Sequence, residues 1–137
     1  MVTGGATPST AEIAVRYVSA FRAGDLDGAL RLLSADVVRA APVEAAAGPG
    51  ELRGVQDIMD SSSRLNADYQ FHAVEIGDPF VHGDQFAVRF AFDQTHRPTG
   101  TRGTAVKISL YTVAGGTIVR EEVYYHTRPR AYDETGA

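Results

Sequence analysis

The sequence predicts an α+β fold in which three helices precede a long antiparallel sheet. Apolar residues recur at helical spacing between Ile13 and Leu33, which indicates two short helices, and a third is indicated from Glu51 to Leu65. From Tyr69 to His126 the chain alternates apolar and polar residues between turns, as strands do. Helices in this order must cover one face of a curved sheet. The 137 residues suffice for one domain with a single core.

The helical half of the chain carries recognisable start and stop signals. Gly24 ends the first helix, because glycine adopts the left-handed conformation of a helix end at little cost, and Asp25 caps the second. Thr10 is predicted to cap the first helix. A first strand is predicted over residues 37–41, and the prolines and glycines of residues 42–50 predict a loop.

Turn residues divide the second half of the chain into strands. The predicted strands are Tyr69–Ile76, Phe80–His82, Phe86–Thr95, Gly103–Val113 and Thr117–His126. Gly115 and Gly116 form a favoured two-residue turn, which pairs Ala114 with Thr117. Counting back along both strands, the turn pairs Ser109 with Glu122.

Composition and charge narrow the class of partner. A net charge of -4 argues against binding to a nucleic-acid backbone, and the absence of cysteine excludes disulfides and thiolate chemistry. Residues 1–9 lack the features of a signal peptide, and no apolar run is long enough to span a membrane, so we expect a cytoplasmic protein without a membrane partner. We expect a disordered segment at 1–9, one domain at 10–128 and a flexible tail at 129–137.

The run RYVSAFRAGDLDGAL, residues 16–30, resembles the N-terminal helices of the nuclear transport factor 2-like superfamily, in particular its SnoaL-like and ketosteroid isomerase-like branches. The resemblance covers roughly residues 10–126. It implies a cone-shaped sheet packed against three helices around an internal pocket, and a homodimer formed through the sheet. The expected apolar wall, which includes Phe90, suits a hydrophobic ligand with a ring system. One fold hosts many chemistries, so the resemblance is more specific for fold than for function.

The same resemblance assigns roles to individual positions, and at one of them this chain lacks the residue that the role requires. The tyrosine that donates a hydrogen bond to a developing enolate oxygen in ketosteroid isomerase-like proteins matches Tyr17, whose alternative role is a core tyrosine. The general base of that family precedes a proline, and here that place is taken by Ala41, which cannot move a proton. The second acid of the family falls near Ser109, a hydrogen-bond donor but a weak substitute. The familiar isomerase mechanism is therefore disfavoured.

The last predicted hairpin has one polar and one apolar face. The polar face carries Lys107, Ser109, Tyr111, Arg120, Glu122, Tyr124 and His126. The apolar face carries Val106, Ile108, Leu110, Val119, Val123 and Tyr125, with Glu121 as its only charge. Patterning alone turns the apolar face inward, whereas the resemblance points Ser109 into the pocket and leaves the apolar face for a second subunit. A β-bulge would switch the two faces within one strand.

If Ser109 points into the pocket, as the resemblance implies, the hairpin supplies acid–base groups. Glu122 becomes the general base, paired with Lys107, while Tyr124 or His126 acts as the acid. The alternative for Glu122 is a solvated salt bridge of little energetic value. The residues expected to contact substrate are Arg39, Phe90, Lys107, Ser109, Tyr111 and Tyr124.

Asp93 is a further candidate for proton transfer at the rim of the expected pocket. With Thr95, Thr99 and Gly100 it loosely matches a D-x-T-x-x-x-T-G pattern that occurs in SnoaL-like sequences, although an aspartate beside a loop also stabilises turns. The four histidines lie in separate segments, so neither a metal site nor a cofactor is expected.

Three functions follow from these observations. The first is a SnoaL-like enzyme that performs cofactor-independent isomerisation, cyclisation, dehydration or hydrolysis on a hydrophobic carbonyl-bearing or polycyclic metabolite. The second is a non-catalytic protein that binds small molecules on the same fold, which the missing base at Ala41 favours. The third is an adaptor that uses an open sheet face.

Overall fold

The computed structural model describes residues 6–41 and 50–126. Its elements are α1 (Thr10–Arg22), α2 (Leu26–Leu30), β1 (Leu33–Ala40), β2 (Glu51–Arg53), α3 (Gly54–Asp68), β3 (Tyr69–Ile76), β4 (Phe80–His82), β5 (Gln85–His96), β6 (Thr101–Ala114) and β7 (Thr117–Tyr125). The predictions for residues 1–5, 42–49 and 127–137 fall outside the described residues. No helix in the described ranges is both long and apolar enough to cross a membrane.

The predicted α+β fold, a curved sheet against three helices, is confirmed. The seven strands form one sheet in the order β2-β1-β7-β6-β5-β3, with β4 also paired to β5. The sheet is mixed rather than purely antiparallel as predicted, because β1 runs parallel to β7. Helix α3 packs against β1 and helix α1 against β5, and both contribute to one hydrophobic core. We call the sheet face that they cover the inner face, and the opposite one the outer face.

The inner face is apolar because the helices and strands place their periodic residues toward it. Helix α1 buries Ile13, Tyr17 and Val18 at helical spacing. Strand β5 buries Phe86 and Val88 at strand spacing. Each large apolar side chain that leaves water in this way stabilises the fold by about 1.5–3 kcal/mol.

The first helix begins one residue earlier than the sequence predicts. The Ser9 hydroxyl accepts a hydrogen bond from the Glu12 N–H, and the Glu12 carboxylate accepts one from the Ser9 N–H. This reciprocal capping box satisfies two backbone donors that the helix itself cannot pair. Ser9, rather than Thr10, is therefore the cap.

We expect Ser9→Ala to lower the free energy of unfolding by about 1 kcal/mol, because it leaves a helix N–H without its acceptor. Thr10→Ala, one residue further along, is the matched control and should have little effect. Urea denaturation followed by circular dichroism measures both. A larger loss for Thr10→Ala than for Ser9→Ala would contradict this assignment of the cap.

The boundary between α1 and α2 agrees with the sequence prediction, whereas the start of α3 differs from it because a short strand precedes the helix. Gly24 has a positive φ of 72°, and the Asp25 carboxylate accepts a hydrogen bond from the Gly28 N–H, as predicted for this turn. Leu26, the first residue of α2, is exposed. Residues 51–53, predicted as the start of the third helix, form β2 instead, and the helix begins at Gly54. Three residues are too short for strand alternation to be read.

A β-bulge at Val119 changes the predicted pairing of the last hairpin. The Gly115-Gly116 turn is confirmed, with Ala114 opposite Thr117. The register then shifts by one residue, so Ser109 opposes Val123 and not Glu122. An extra residue on one strand moves every later side chain of that strand to the other face. Strand β6 therefore presents inward the face that the resemblance implies and not the face that patterning alone favours. Beyond the bulge, β7 presents Glu121 and Val123 there instead of Glu122 and Tyr124.

Candidate active site

Six buried polar side chains lie in the core between the helices and the inner face. This inner polar cluster consists of Tyr17, Arg39, Lys107, Ser109, Tyr111 and Glu121. They come from one helix and three strands, namely α1, β1, β6 and β7. Burying polar and charged groups is unfavourable unless they are paired, so a cluster of six marks the part of the fold where chemistry is most plausible.

Arg39 and Glu121 form an ion pair where β1 meets β7. The two strands are parallel and place these residues directly opposite one another. The Arg39 Nε atom lies 3.5 Å from Glu121 Oε1, and both side chains are buried. Taking two charges out of water costs several kcal/mol per ion, so such a pair contributes little net stability. Its presence is therefore better explained by a role at a site.

The hydroxyls of Tyr17 and Tyr111 meet beside this ion pair. The Tyr111 O–H donates a hydrogen bond of 3.2 Å to the Tyr17 oxygen. Burial raises the pKa of both phenols, and the nearby Glu121 carboxylate raises the pKa of each further. Both hydroxyls therefore stay protonated at neutral pH. Because the Tyr111 proton points at Tyr17, the Tyr17 proton is left for another acceptor.

Ser109 and Lys107 extend the cluster along β6. Ser109 is 0% exposed, and its Oγ has no hydrogen-bond partner of ordinary geometry in the described ranges, although it is close enough to Tyr111 to lower the pKa of that phenol. The Lys107 Nζ atom lies 4.9 Å from the centroid of the Phe90 ring, which it faces across β5 and β6. The side chains of β6 thus place a hydroxyl between a phenol and an ammonium.

Three predicted site residues lie outside the inner polar cluster. Because of the bulge, Glu122 stands on the outer face, opposite Leu110, and cannot pair with Lys107 as predicted. Tyr124 is 57% exposed, and its hydroxyl donates to Glu122 Oε2 over 3.3 Å. His126 is exposed as well. The structure therefore does not bring these three residues together with the inner polar cluster.

Asp93 also faces away from the cluster. The Arg102 guanidinium donates to both of its carboxylate oxygens, over 2.9 and 2.7 Å. These hydrogen bonds lower the pKa of Asp93, and the charges of Arg102 and His72 act in the same direction. A carboxylate held ionised on an exposed surface is a poor proton donor. The geometry supports the structural alternative of the sequence analysis, in which Asp93 stabilises the end of the hairpin.

We expect Arg102→Gln to raise the pKa of Asp93 toward its ordinary value, because it removes the main hydrogen bonds that stabilise the carboxylate. Carboxyl NMR titration measures this shift, and Arg89→Gln on the neighbouring strand is the control. Since the folded-state pKa is lowered, the stabilisation from this pair is present at neutral pH and lost as the pH falls through that pKa. An unchanged Asp93 pKa in Arg102→Gln would contradict this cause.

The predicted pocket between helices and sheet stays a prediction. Aromatic rings close around the inner polar cluster: Phe86 stacks on Tyr111 with centroids 4.7 Å apart, and Phe21 packs on Phe90. A cleft of about 380 Å³ lies elsewhere, between α1 and β4. Its charged lining residues, Arg22 and Asp78, are already paired with one another, so it offers no acid–base group.

Within the described residues, no group of three or more His, Asp or Glu side chains is placed to hold a metal ion. Glu121 is the carboxylate of the inner polar cluster.

Glu121 lies in the inner polar cluster, whereas the sequence favours its neighbour Glu122 as the base. The sequence does contain a signal, because Glu121 is the one charge on an otherwise apolar face of its strand. A charge in such a position has to be paired or functional. What the sequence lacks is its partner, because Arg39 is more than eighty residues away along the chain and meets Glu121 only through the parallel β1–β7 pairing.

Known proteins resemble this chain in both sequence and structure. Residues 14–121 match the family described as the SnoaL-like domain. A candidate SnoaL-like polyketide cyclase from Mesorhizobium loti is 33% identical, with a TM-score of 0.76 over 86% of this chain and 100% of that one. No curated protein matches the sequence significantly.

Two more distant structures share the fold alone. A nuclear transport factor 2-like protein from Burkholderia thailandensis is 17% identical, with a TM-score of 0.71 over 87% of this chain and 92% of that chain. A candidate isomerase from Bacillus subtilis is 18% identical, with a TM-score of 0.68 over 87% of this chain and 90% of that chain. The family match spans most of the domain, and the fold agrees with it. The chain therefore belongs to the SnoaL-like family of the nuclear transport factor 2-like superfamily.

Proposed function

We propose that this protein is a cofactor-independent enzyme that moves a proton next to the carbonyl group of a hydrophobic small molecule, with Glu121 as the base and Tyr17 as the donor to the carbonyl oxygen. Membership of the SnoaL-like family supports an enzymatic or ligand-binding role. The observation that carries the enzymatic alternative is a buried carboxylate, held by Arg39 beside two protonated phenols.

The proposed reaction begins with the ketone oxygen of the ligand accepting the Tyr17 O–H hydrogen bond. Glu121 then removes a proton from the carbon next to the carbonyl, and the electron pair of that C–H bond moves onto the oxygen as an enolate. Return of the proton to another carbon of an unsaturated ligand completes an isomerisation. In a cyclisation the enolate carbon attacks a second carbonyl, a C–C bond forms, and the resulting alkoxide takes the proton from Glu121. A donor aimed at the developing oxyanion in a site without water contributes most of its stabilisation in the transition state.

The neighbouring residues support these two roles. Tyr111 donates to Tyr17, which polarises the Tyr17 O–H bond and orients its proton away from Tyr111. Arg39 holds the Glu121 carboxylate in one position. The arrangement replaces the aspartate that ketosteroid isomerase-like sequences carry before their proline, where this chain has the buried Ala41. Proton transfer is thus assigned to β7 instead of the end of β1.

The test uses β-tetralone, a bicyclic ketone with an acidic CH₂ group, in deuterium oxide. Proton NMR of the protein–ligand mixture gives two measurements. Loss of the CH₂ proton signal by exchange reports proton abstraction, and broadening of the ligand lines reports binding. An enzyme of the proposed type accelerates exchange in proportion to protein concentration. Broadening without accelerated exchange would support the second candidate, a binding protein, and would refute catalysis of this kind.

We also propose that the protein is a homodimer through the outer face. That face presents Ile108, Leu110 and the exposed ring of Tyr124, an apolar strip beside the charged Glu122. The interface differs from the predicted one, because the bulge turns Val123 inward. Sedimentation of the wild type and of Ile108→Glu tests it: the variant should be monomeric. A monomeric wild type would overturn the proposal.

A further inference from the structure

An aromatic wall on the inner face runs from the core to solvent. It consists of Phe90, Phe92 and Phe71, with Phe90 and Phe92 stacked at 6.1 Å and Phe71 and Phe92 in contact at 5.6 Å. Phe90 is 2% exposed, whereas Phe71 is 38% exposed. Val74, which pairs with Phe92 on the same face, is 44% exposed. Apolar side chains of an inner face reach water only where the helix layer no longer covers them, so the wall is open to solvent at Phe71 and Val74.

Lys107 projects its ammonium into this wall. Its Nζ atom lies 4.9 Å from the Phe90 centroid and 5.8 Å from the Phe92 centroid, and the side chain is buried. Ring faces stabilise the charged form of an amine by cation–π attraction. An ammonium has three N–H donors, so it can contact a ligand in addition to its contacts within the protein.

Ser109 lies between Lys107 and the tyrosines. Its fully buried Oγ has no hydrogen-bond partner of ordinary geometry in residues 6–41 and 50–126. A buried hydroxyl without a partner costs free energy, which a ligand acceptor would recover. Alternate β6 residues share the inner face, so Ser109 stands about 7 Å from Lys107 along the strand and Tyr111 about 13 Å from it.

We propose that Lys107 is a subsite for an anionic substituent, so that the substrate is an aromatic ketone bearing a carboxylate at the end of the ring system opposite the carbonyl. The carboxylate binds at Lys107, the rings lie beside Ser109 and Phe90, and the ketone oxygen reaches Tyr17. The inference rests on the proposed function only for the carbonyl end.

The experiment compares two β-tetralones that differ in one group on the aromatic ring opposite the ketone, a carboxylate in one and a primary carboxamide in the other. Dissociation constants are measured by ligand-observed NMR with the full chain. We expect wild type to bind the carboxylate about 10- to 100-fold more tightly, the usual effect of a hydrogen bond to a charged group. Equal affinities in the wild type would overturn the proposal without any variant.

Variants then assign the preference to one side chain. Lys107→Gln should abolish it, Lys107→Arg should retain most of it, and Arg89→Gln, which removes an exposed outer-face cation, should leave it unchanged. If Lys107→Gln does not fold, the affinity ratio of the wild type still shows whether the carboxylate is preferred. The affinity ratio of Lys107→Arg shows whether another cation at this position retains the preference. A preference that persists in folded Lys107→Gln would place the anion elsewhere and overturn the assignment.

The two proposals fail in different ways. A carboxylate preference without accelerated CH₂ exchange would support the anionic subsite and refute catalysis. Accelerated exchange with equal affinity for the two ligands would support catalysis and refute the subsite. Glu121→Gln keeps Lys107 intact, so it is expected to lose exchange and still prefer the carboxylate.

Discussion

Glu121→Gln should lower the protein-catalysed exchange of β-tetralone by about 10²- to 10⁴-fold, the range over which a positioned general base contributes to a rate. Glutamine has nearly the shape of glutamate and still accepts a hydrogen bond through its amide oxygen, so Arg39 keeps a neighbour. It cannot take a proton from carbon at neutral pH. The rate should therefore fall while ligand line broadening remains.

The adjacent carboxylate is the matched control for this substitution. Glu122 differs from Glu121 by one position but lies on the outer face. The Glu122→Gln variant should exchange β-tetralone within about twofold of the wild-type rate, since a half-buried group on the far side of the sheet does not touch the proposed ligand. If instead Glu122→Gln lost exchange and Glu121→Gln kept it, the base would have been assigned to the wrong strand face.

Arg39→Met is expected to destabilise the fold by about 3–5 kcal/mol, because it leaves the Glu121 carboxylate buried without its cation. Total stabilities of small domains are about 5–15 kcal/mol, so this is a large fraction of the whole. Urea denaturation at neutral pH measures the effect. Combining Arg39→Met with Glu121→Leu should restore much of the loss, because both charges are then absent from the core.

An exposed ion pair provides the comparison. Arg102→Met breaks the pair with Asp93 on the surface, where water solvates the remaining carboxylate, and only a small decrease in the unfolding midpoint is expected. If Arg39→Met were as harmless as Arg102→Met, the Arg39–Glu121 pair would be hydrated and not a buried functional pair. If the double variant were as unstable as the sum of both single variants, the two charges would not interact.

Short-range signals in the sequence correctly predict much of this structure. The left-handed Gly24, the Asp25 cap and the Gly115-Gly116 turn each depend on a few adjacent residues, and all three are confirmed. The alternation of Phe86 and Val88 likewise predicts which face of β5 is buried. These features are readable because backbone sterics and side-chain periodicity act over a few residues.

Signals in the sequence predict only part of the candidate site. Tyr17, Ser109 and Tyr111 occupy the buried positions that the resemblance implies, and their functional roles stay predictions. Glu122 was preferred to Glu121 because the count from the turn assumed an uninterrupted ladder. A bulge has no reliable sequence signature here, since Val119 is as good a strand residue as its neighbours.

The sequence by itself therefore determines the α+β architecture and the order of its main elements, both of which follow from local conformational preference and hydrophobic period. Tertiary structure alone decides which carboxylate of β7 is buried and which cation it meets. One inserted residue at Val119 exchanges the two faces of the strand, and the parallel pairing of β1 with β7 then sets Arg39 against Glu121. Both are properties of strand register, which depends on contacts between segments far apart in the chain.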